Sequence, residues 1–323
     1  MGVIEISLLM IGTVIGAGFA TGAEIVAFFG RLALPAPLLA GLIFFAMFFL
    51  ISIIIYLRNM VKPRITRYFS LILYFIFLTA MTAGVAEIAN LFFCVVSLII
   101  SVAVVLCGFS RMAKFNTVIV IAIVVILPGI CLPHLGHAAT IPAAAGGQIF
   151  GGVIAAVLYA ALNCCMLDKI VDGCKKSVLG KKLYISAAVA SAAIAVFAYL
   201  ILHAIRVNDA DGFAVPMLAI SPTPITFVMI LLAILTSQYS ALYAVAAAGN
   251  KNGVAPVCVI ALLAFVCSFF GFSRLVGIFY PIIGVIISLL LISLLLISFF
   301  RPKPSRSVLP HISLHQTHPH SES

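Results

Sequence analysis

The sequence predicts an all-α polytopic membrane protein with ten transmembrane helices, and three observations lead to this fold class. Hydrophobic residues make up 65% of the 323 positions and charged residues only 8%, whereas an ordinary soluble domain is about 25% charged. The apolar residues form continuous runs of roughly 20, the length of a helix that crosses a bilayer, rather than the alternating pattern of a membrane barrel. The charged residues lie mostly in short joints between these runs.

Clusters of charged residues, Pro and Gly divide the chain into ten spans. The spans cover residues 3–29, 36–57, 68–88, 91–108, 115–132, 148–168, 183–205, 223–247, 254–271 and 275–299. The first span is too long for the apolar region of a cleaved signal peptide, so we expect it to be retained. Residues 300–323 are rich in Pro, Ser and His and are expected to form a disordered cytoplasmic tail.

The basic residues predict the orientation of the chain. With a cytoplasmic N-terminus, every Lys and Arg except Arg31, Arg206 and Arg274 lies on the inside. This positive-inside bias predicts a multi-pass protein of the cell (plasma) membrane with both termini in the cytoplasm. The net charge of +10 at pH 7 is therefore explained by the orientation of the chain in the membrane. No nucleic-acid partner is expected, since no soluble domain is predicted on which the basic residues could form a patch. The expected partners are the lipid bilayer and a small-molecule solute, and the sequence carries no signal for an oligomeric state.

The longest outside joint, an extracellular connection at residues 133–147, divides the membrane region into two halves. Residues 1–132 and 148–299 hold five spans each, and an odd number of spans makes the second half start from the opposite side. This is the topology of an inverted repeat. In transporters built this way, interrupted helices at matching positions of the two halves mark the binding site.

The first span contains the run GTVIGAGFATGAE, whose glycines lie near the expected centre of the membrane. Gly16, Ala17 and Gly18 predict that helix 1 is broken there, which would free N–H groups near Phe19 and Ala20. Freed backbone groups cost several kcal/mol each unless protein, ion or ligand satisfies them. The alternative explanation is close helix packing through small residues.

The sixth span places Ala161, Leu162 and Asn163 at the corresponding depth. A polar residue at this position predicts that helix 6 is also broken at mid-membrane, because paired interruptions are the pattern of a transporter site. The alternative is a continuous helix in which Asn163 makes a hydrogen bond to a neighbouring helix.

The eighth span carries small and hydroxylated residues along one helical face, and these are Ala233, Thr236, Ser237, Ser240 and Ala244. Their depth matches that of the two features above, which favours a functional role. The alternative is that the hydroxyls only bond back to carbonyls of their own helix.

Glu5 and Glu24 are the acidic residues of the first span. A carboxylate inside a membrane is by default a functional candidate, so Glu24 is a candidate proton carrier, amine partner or gate charge. It follows Gly18 by six residues, which on a regular helix is nearly two turns toward the outside. The alternative is an interfacial side chain that snorkels or pairs with Arg31, Arg206 or Arg274. Glu5 is expected to be a gate or solvated charge.

The glycine run followed by ten spans resembles the YkvI-type membrane proteins, which are similar to the amino acid–polyamine–organocation (APC) transporter superfamily with the leucine-transporter fold. The resemblance covers essentially the whole membrane region. It implies a 5+5 inverted repeat with spans 1 and 6 broken and with spans 1, 3, 6 and 8 around the solute. On this chain the implied solute site comprises residues 16–20 and 161–163.

Sodium-coupled members of that superfamily hold the ion between carbonyls of span 1 and an Ala-x-x-Thr-Ser pattern on span 8. The matching residues here are Gly12, Ile15, Ala233, Thr236 and Ser237. The resemblance therefore implies a symporter of a small polar solute, but members of the superfamily carry amino acids, amines, nucleobases, sugars and ions. We expect the solute to be an amino acid or related amine. Sodium would be the co-transported ion, and no other cofactor is expected.

Two other functions remain open from the sequence. One is a proton-coupled carrier in which Glu24 titrates, and the other is a channel or sensor relative. An enzyme is not expected, because the sequence has no Ser/His/Asp, HExxH or clustered-carboxylate pattern.

Overall fold

The structure is a computed structural model that describes residues 2–60, 66–139, 148–175, 180–249 and 253–300. All regular secondary structure in these ranges is helical. Six stretches are long and apolar enough to cross a membrane, namely Ala36–Tyr56, Leu71–Ile88, Phe109–His134, Gly180–Val207, Pro224–Gly249 and Phe272–Leu296. Four shorter apolar helices accompany them, at Val3–Val14, Leu91–Leu106, Ile149–Cys164 and Val254–Phe270. The chain is an all-α membrane protein, as the sequence predicts.

The first predicted span consists of short pieces. They are α1 (Val3–Val14), α2 (Ala17–Ala20), α3 (Ala23–Ile25) and a π-helical turn (Val26–Gly30). The next helices are α4 (Ala36–Met60), α5 (Thr66–Ile88), α6 (Leu91–Leu106), α7 (Phe109–Cys131), α8 (Gln148–Lys175) and α9 (Gly180–Val207). The last are α10 (Pro216–Ile220), α11 (Pro224–Gly249), α12 (Val254–Cys267), α13 (Phe272–Arg274), a second π-helical turn (Leu275–Phe279) and α14 (Tyr280–Phe300). The predicted tail beyond residue 300 and residues 140–147 of the 133–147 connection lie outside the described residues.

Large apolar side chains cover the outer faces of the helices. Ile99 of α6, Val118 and Val125 of α7 and Leu263 of α12 are all exposed. Apolar surface on this scale is unfavourable in water and marks an interaction surface. Lipid tails solvate such side chains as well as a protein core does, so these faces fit a bilayer.

Helices α1 and α11 form the centre of the molecule. In α11, 67% of the most apolar stretch is buried, compared with 33% in Phe109–His134. Helix α11 packs against α5, α6 and α7, while α1 packs against α7, α8 and α9. Buried hydrogen bonds reinforce this packing, since Gln238 of α11 donates to the Thr82 hydroxyl (3.2 Å) and accepts from that of Ser101 (3.1 Å).

The predicted break of helix 1 is present and begins one residue earlier than expected. Helix α1 ends at Val14, Ile15 has a ψ of 78°, and Gly16 is extended, with φ −102° and ψ −162°. A second break, which the glycine pattern did not specify, follows at Gly22. Its φ of 82° lies in the left-handed region that favours glycine.

The predicted break of helix 6 is wrong. Helix α8 continues without interruption from Gln148 to Lys175 and includes Ala161, Leu162 and Asn163. The Asn163 side chain donates to the Tyr159 carbonyl one turn earlier (3.0 Å), so it is accommodated within a regular helix. Ala161 and Leu162 are strong helix formers, and neither Gly nor Pro occurs at this point to open the backbone.

Candidate functional site

The broken first span lies between the central helices. Helix α2 packs against α5 and α11, and the following π-helical turn contacts α8. All residues from 16 to 20 are buried, as are Ala161, Leu162 and Asn163. The candidate solute residues therefore lie in the interior, and the Asn163 side chain of α8 reaches Glu24 of the first span.

Ser237 connects α11 to the end of α1. Its hydroxyl donates to the carbonyl oxygens of Gly12 (3.3 Å) and Thr13 (3.2 Å). A Cβ on Gly16 would lie 2.7 Å from Ser237 Oγ and 3.0 Å from Met81 Sδ, so the glycine permits this close approach. The structure thus brings Gly12 and Ser237 together, and it adds the Thr13 carbonyl, which the motif did not specify.

Two other candidate ion ligands bond to each other. The Thr236 hydroxyl donates to the Ala233 carbonyl three residues earlier (2.8 Å), a local bond typical of hydroxyls in membrane helices. A hydroxyl retains acceptor lone pairs while its proton is engaged, so the Thr236 oxygen is still suitable for a cation. Ile15 is fully buried at the break, and its N–H donates to the Ile11 carbonyl (2.8 Å).

The backbone N–H groups expected to face a solute are partly engaged. The Ala20 N–H donates to the Gly16 carbonyl within α2 (2.8 Å), so the prediction that it is free is wrong, because α2 completes a helical turn there. The Ala17 N–H donates to Met81 Sδ (3.3 Å). A thioether is a weak acceptor, so a stronger acceptor would displace it. Phe19 is fully buried.

Glu24 is buried in the interior rather than placed at the interface. It is 3% exposed, and its Oε1 accepts a hydrogen bond from Asn163 Nδ2 (3.1 Å). A Cβ on Gly18 would lie 2.7 Å from Glu24 Oε2, so the carboxylate packs directly on that glycine. The expected displacement of nearly two turns is wrong, because the left-handed turn at Gly22 reverses the side chain toward Gly18.

Arg206, which the sequence offered as a partner for Glu24, anchors the end of the first span. Its guanidinium donates to the carbonyl oxygens of Leu34 (2.6 Å), Leu32 (2.6 Å) and Phe29 (3.4 Å). Carbonyls at and beyond a helix end lack partners within the helix. The Arg206 guanidinium on α9 supplies hydrogen-bond donors to these carbonyls. Arg31, by contrast, is exposed.

Glu5 lies at the start of α1. Its Oε2 accepts a hydrogen bond from the Gly2 N–H (3.2 Å), as the acidic residue of a capping box does. A role of Glu5 in gating or proton coupling stays a prediction.

Two tyrosines that lie near Glu24 were not predicted as site residues. The hydroxyls of Tyr159 and Tyr280 are buried and make no hydrogen bond within the part of the chain that the structure describes. Both lie within electrostatic range of the Glu24 carboxylate. A tyrosine in a membrane span more commonly marks the lipid–water interface, so no sequence signal distinguished these two.

The arrangement is chemically suited to binding a small cation next to an opened helix. Carbonyl and hydroxyl oxygens from α1 and α11 are the ligand types that hard cations prefer. The break supplies backbone groups that an ion or solute can satisfy. No protein-family model and no curated protein sequence matches the chain, so its function is inferred from these residues.

Proposed function

We propose that the chain is a secondary active transporter that moves a small polar solute, an amino acid or related amine, by alternating access and together with sodium. The main support for this proposal is the contact of Ser237 with the Gly12 and Thr13 carbonyls, which lies at a break in the first span. Irregular backbone at membrane depth is tolerated where it is buried or lines a cavity. In secondary transporters, discontinuous helices of this kind form the solute and ion sites.

A repeated tetrapeptide supports a 5+5 arrangement of ten helices. The sequence Gly-Phe-Ser-Arg occurs at residues 108–111 and again at 271–274. Gly108 and Gly271 both have a φ of 88°, and they connect α6 to α7 and α12 to α13. Helices α6 and α12 begin the same number of residues before their glycine. In a five-plus-five repeat these two connections are equivalent.

The helix packing supports the same arrangement. Helix α1 packs against α9 as α8 packs against α4, and α1 packs against α7 as α8 packs against α14. Helix α6 packs against α11 as α12 packs against α5. If five is added to the span numbers of the two helices in one contact, and the count returns to the first span after the tenth, the span numbers of the counterpart contact result. This relation is the symmetry of two five-span repeats. Because five is odd, such repeats would be inverted in the membrane.

The positive-inside bias then favours a cell-membrane protein with both termini in the cytoplasm. In this orientation α1 enters from the cytoplasm and ends near the midplane. Its last carbonyls, Gly12 and Thr13 among them, carry the negative end of the helix dipole and favour a cation. The ion is held between α1 and α11 by the oxygens that the hydrogen bonds of Ser237 bring together.

Coupling follows from this placement. An ion that binds both α1 and α11 stabilises the conformation in which the two helices are joined. A ligand shifts a conformational equilibrium by its difference in affinity for the two states. Sodium binding therefore changes the fraction of the transporter whose solute site is formed, and each ligand strengthens the binding of the other.

Uptake into proteoliposomes tests the proposal. Radiolabelled amino acids and amines, screened singly, are expected to yield at least one solute whose uptake requires an inward sodium gradient. Uptake that saturates and supports counterflow identifies a carrier, whereas unsaturable flux indicates a channel. Solute uptake that is unchanged when choline replaces sodium would contradict sodium coupling, and an absence of uptake for all solutes would contradict transport.

Proton coupling through Glu24 is the second candidate, and burial of this carboxylate next to Asn163 favours it. Intramembrane carboxylates serve as proton relays in pumps and transporters. An inward proton gradient that drives uptake in the absence of sodium would favour this mechanism over sodium coupling.

A further inference from the structure

Glu24, Asn163, Tyr159 and Tyr280 form a buried polar cluster, the Glu24 cage. They come from α3, from α8 and from the first residue of α14. The two tyrosines are fully buried, and Asn163 is 4% exposed. Among the described residues, Asn163 is the hydrogen-bond partner of the Glu24 carboxylate, and no basic side chain forms an ion pair with it.

Asn163 orients the carboxylate but does not neutralise it. Its amide nitrogen has two hydrogens, which go to Glu24 Oε1 (3.1 Å) and to the Tyr159 carbonyl (3.0 Å). A buried carboxylate is strongly unfavourable unless a proton or a cation compensates its charge. The cage therefore requires a positively charged occupant.

The two tyrosine hydroxyls indicate what that occupant is. Within the described ranges of the chain neither hydroxyl makes a hydrogen bond, although both are buried near Glu24, and a buried hydroxyl without a partner is unfavourable. A proton on Glu24 neutralises the charge but provides only one donor. A primary ammonium group provides three N–H donors, one each for the carboxylate and the two hydroxyl oxygens.

Phenylalanine rings pack against both tyrosines of the cage. The rings of Phe28 and Phe29 pack edge-on against Tyr159, with centroids 5.7 and 5.4 Å away, and Phe77 lies 5.2 Å from Tyr280. Rings attract an ammonium group through their negative faces. They also exclude water, which strengthens the attraction between an ammonium and the carboxylate.

We propose that the Glu24 cage binds the primary ammonium group of the transported solute. The inference rests on the proposed function and specifies the substrate class, namely amino acids and amines that carry a protonated primary amine. The contact of Glu24 with Gly18 joins the cage to the break in the first span, where the rest of the solute would lie. Analogues in which a hydroxyl replaces the amine are expected not to bind.

Equilibrium binding tests this without any need for transport. The chain has eight cysteines and no tryptophan, and Cys94, Cys131 and Cys164 are buried, so a thiol-reactive dye reports thermal unfolding. The full-length protein in detergent is heated in a fixed concentration of sodium chloride, to which methylammonium, tetramethylammonium or choline chloride is added at equal ionic strength. We expect methylammonium alone to raise the melting temperature, since tetramethylammonium has no N–H donor. Equal shifts with all three salts, or none with methylammonium, would overturn the proposal.

Amino-acid substitutions test whether methylammonium binds at the Glu24 cage. Glu24→Gln keeps the shape of the side chain and is expected to abolish the methylammonium shift. Tyr159→Phe and Tyr280→Phe are each expected to weaken methylammonium binding about ten-fold, the effect of one hydrogen bond to a charged group. Tyr199→Phe, on α9, is the matched control and should bind as the wild type does. Wild-type binding by Glu24→Gln, or by both tyrosine variants if Glu24→Gln does not fold, refutes the cage.

The two proposals fail in different experiments. Sodium-driven uptake of an amino acid that persists in Glu24→Gln would leave sodium-coupled transport intact and refute the ammonium cage. Methylammonium binding that requires Glu24, in a protein that shows no uptake of any solute, would support the ammonium site and refute transport.

Discussion

The Ser237 hydroxyl lies 3.3 Å from the Gly12 carbonyl oxygen and joins residues 225 positions apart in the chain. The contact connects the last turn of α1 to the middle of α11, next to the break at Gly16. A serine hydroxyl can be removed with a small change in volume, so substitution of Ser237 tests the proposed sodium site with little effect on folding.

Ser237→Ala combined with Thr236→Val is expected to raise the sodium concentration for half-maximal uptake about ten-fold or more, because two oxygen ligands are lost. The measurement is solute uptake as a function of external sodium. Ser288→Ala, the same change on α14, is the control, since the Ser288 hydroxyl donates to the Gly284 carbonyl of its own helix (2.8 Å). An unaltered sodium dependence in the double variant would remove these hydroxyls from the ion site.

Gly18→Ala is expected to destabilise the protein and to lower uptake. The added methyl group would lie 2.7 Å from Glu24 Oε2 and 2.9 Å from Glu24 Cβ, and overpacking of this kind costs about 1–3 kcal/mol. The melting temperature from the thiol-dye assay and the uptake rate measure the two effects. In Gly41→Ala the new methyl group on α4 meets nothing within 4 Å, so this control should retain both properties. Equal melting temperatures for the two variants would show that Glu24 does not pack on Gly18.

The sequence was sufficient for features that depend on local composition. The continuous apolar runs predict the membrane helices, and the glycines around Gly16 predict the first break, because glycine opens a membrane helix at little steric cost. The Ala-x-x-Thr-Ser pattern led to Ser237, and this hydroxyl does meet Gly12. The repeated Gly-Phe-Ser-Arg tetrapeptide was also visible in the sequence, and a search for internal repeats would have found it.

Features that depend on tertiary contacts were not predictable from one segment. A Cβ on Gly22 would lie 2.8 Å from Ile205 and 3.3 Å from Pro216, and the Met217 N–H donates to the Thr21 carbonyl (3.0 Å). The turn that redirects Glu24 therefore lies against α9 and α10, far away in the chain. The expected break of helix 6 was wrong for a related reason, since Asn163 is satisfied by a neighbour on its own helix and by Glu24.

Arg206→Met is expected to lower the free energy of unfolding by about 2–3 kcal/mol, because buried carbonyls that lose a charged donor remain unsatisfied. The side chain anchors Phe29, Leu32 and Leu34, so the loss should appear as a lower melting temperature. Arg31→Met removes the same charge from an exposed position nearby and should have little effect. Equal melting temperatures for the two variants would mean that the guanidinium does not anchor the first span.

Asn163→Ala is expected to weaken methylammonium binding and to destabilise the protein by about 1–3 kcal/mol, because the Glu24 carboxylate loses its hydrogen-bond donor. Asn208→Ala is the matched control, since the Asn208 amide also donates to a carbonyl four residues earlier (2.8 Å) but lies at the end of α9, away from Glu24. If the effect of Asn163 came from its bond to its own helix, both variants would change the melting temperature equally and neither would change binding. A loss of binding restricted to Asn163→Ala instead assigns the amide to the orientation of Glu24, and methylammonium affinity measured for the two variants decides between these outcomes.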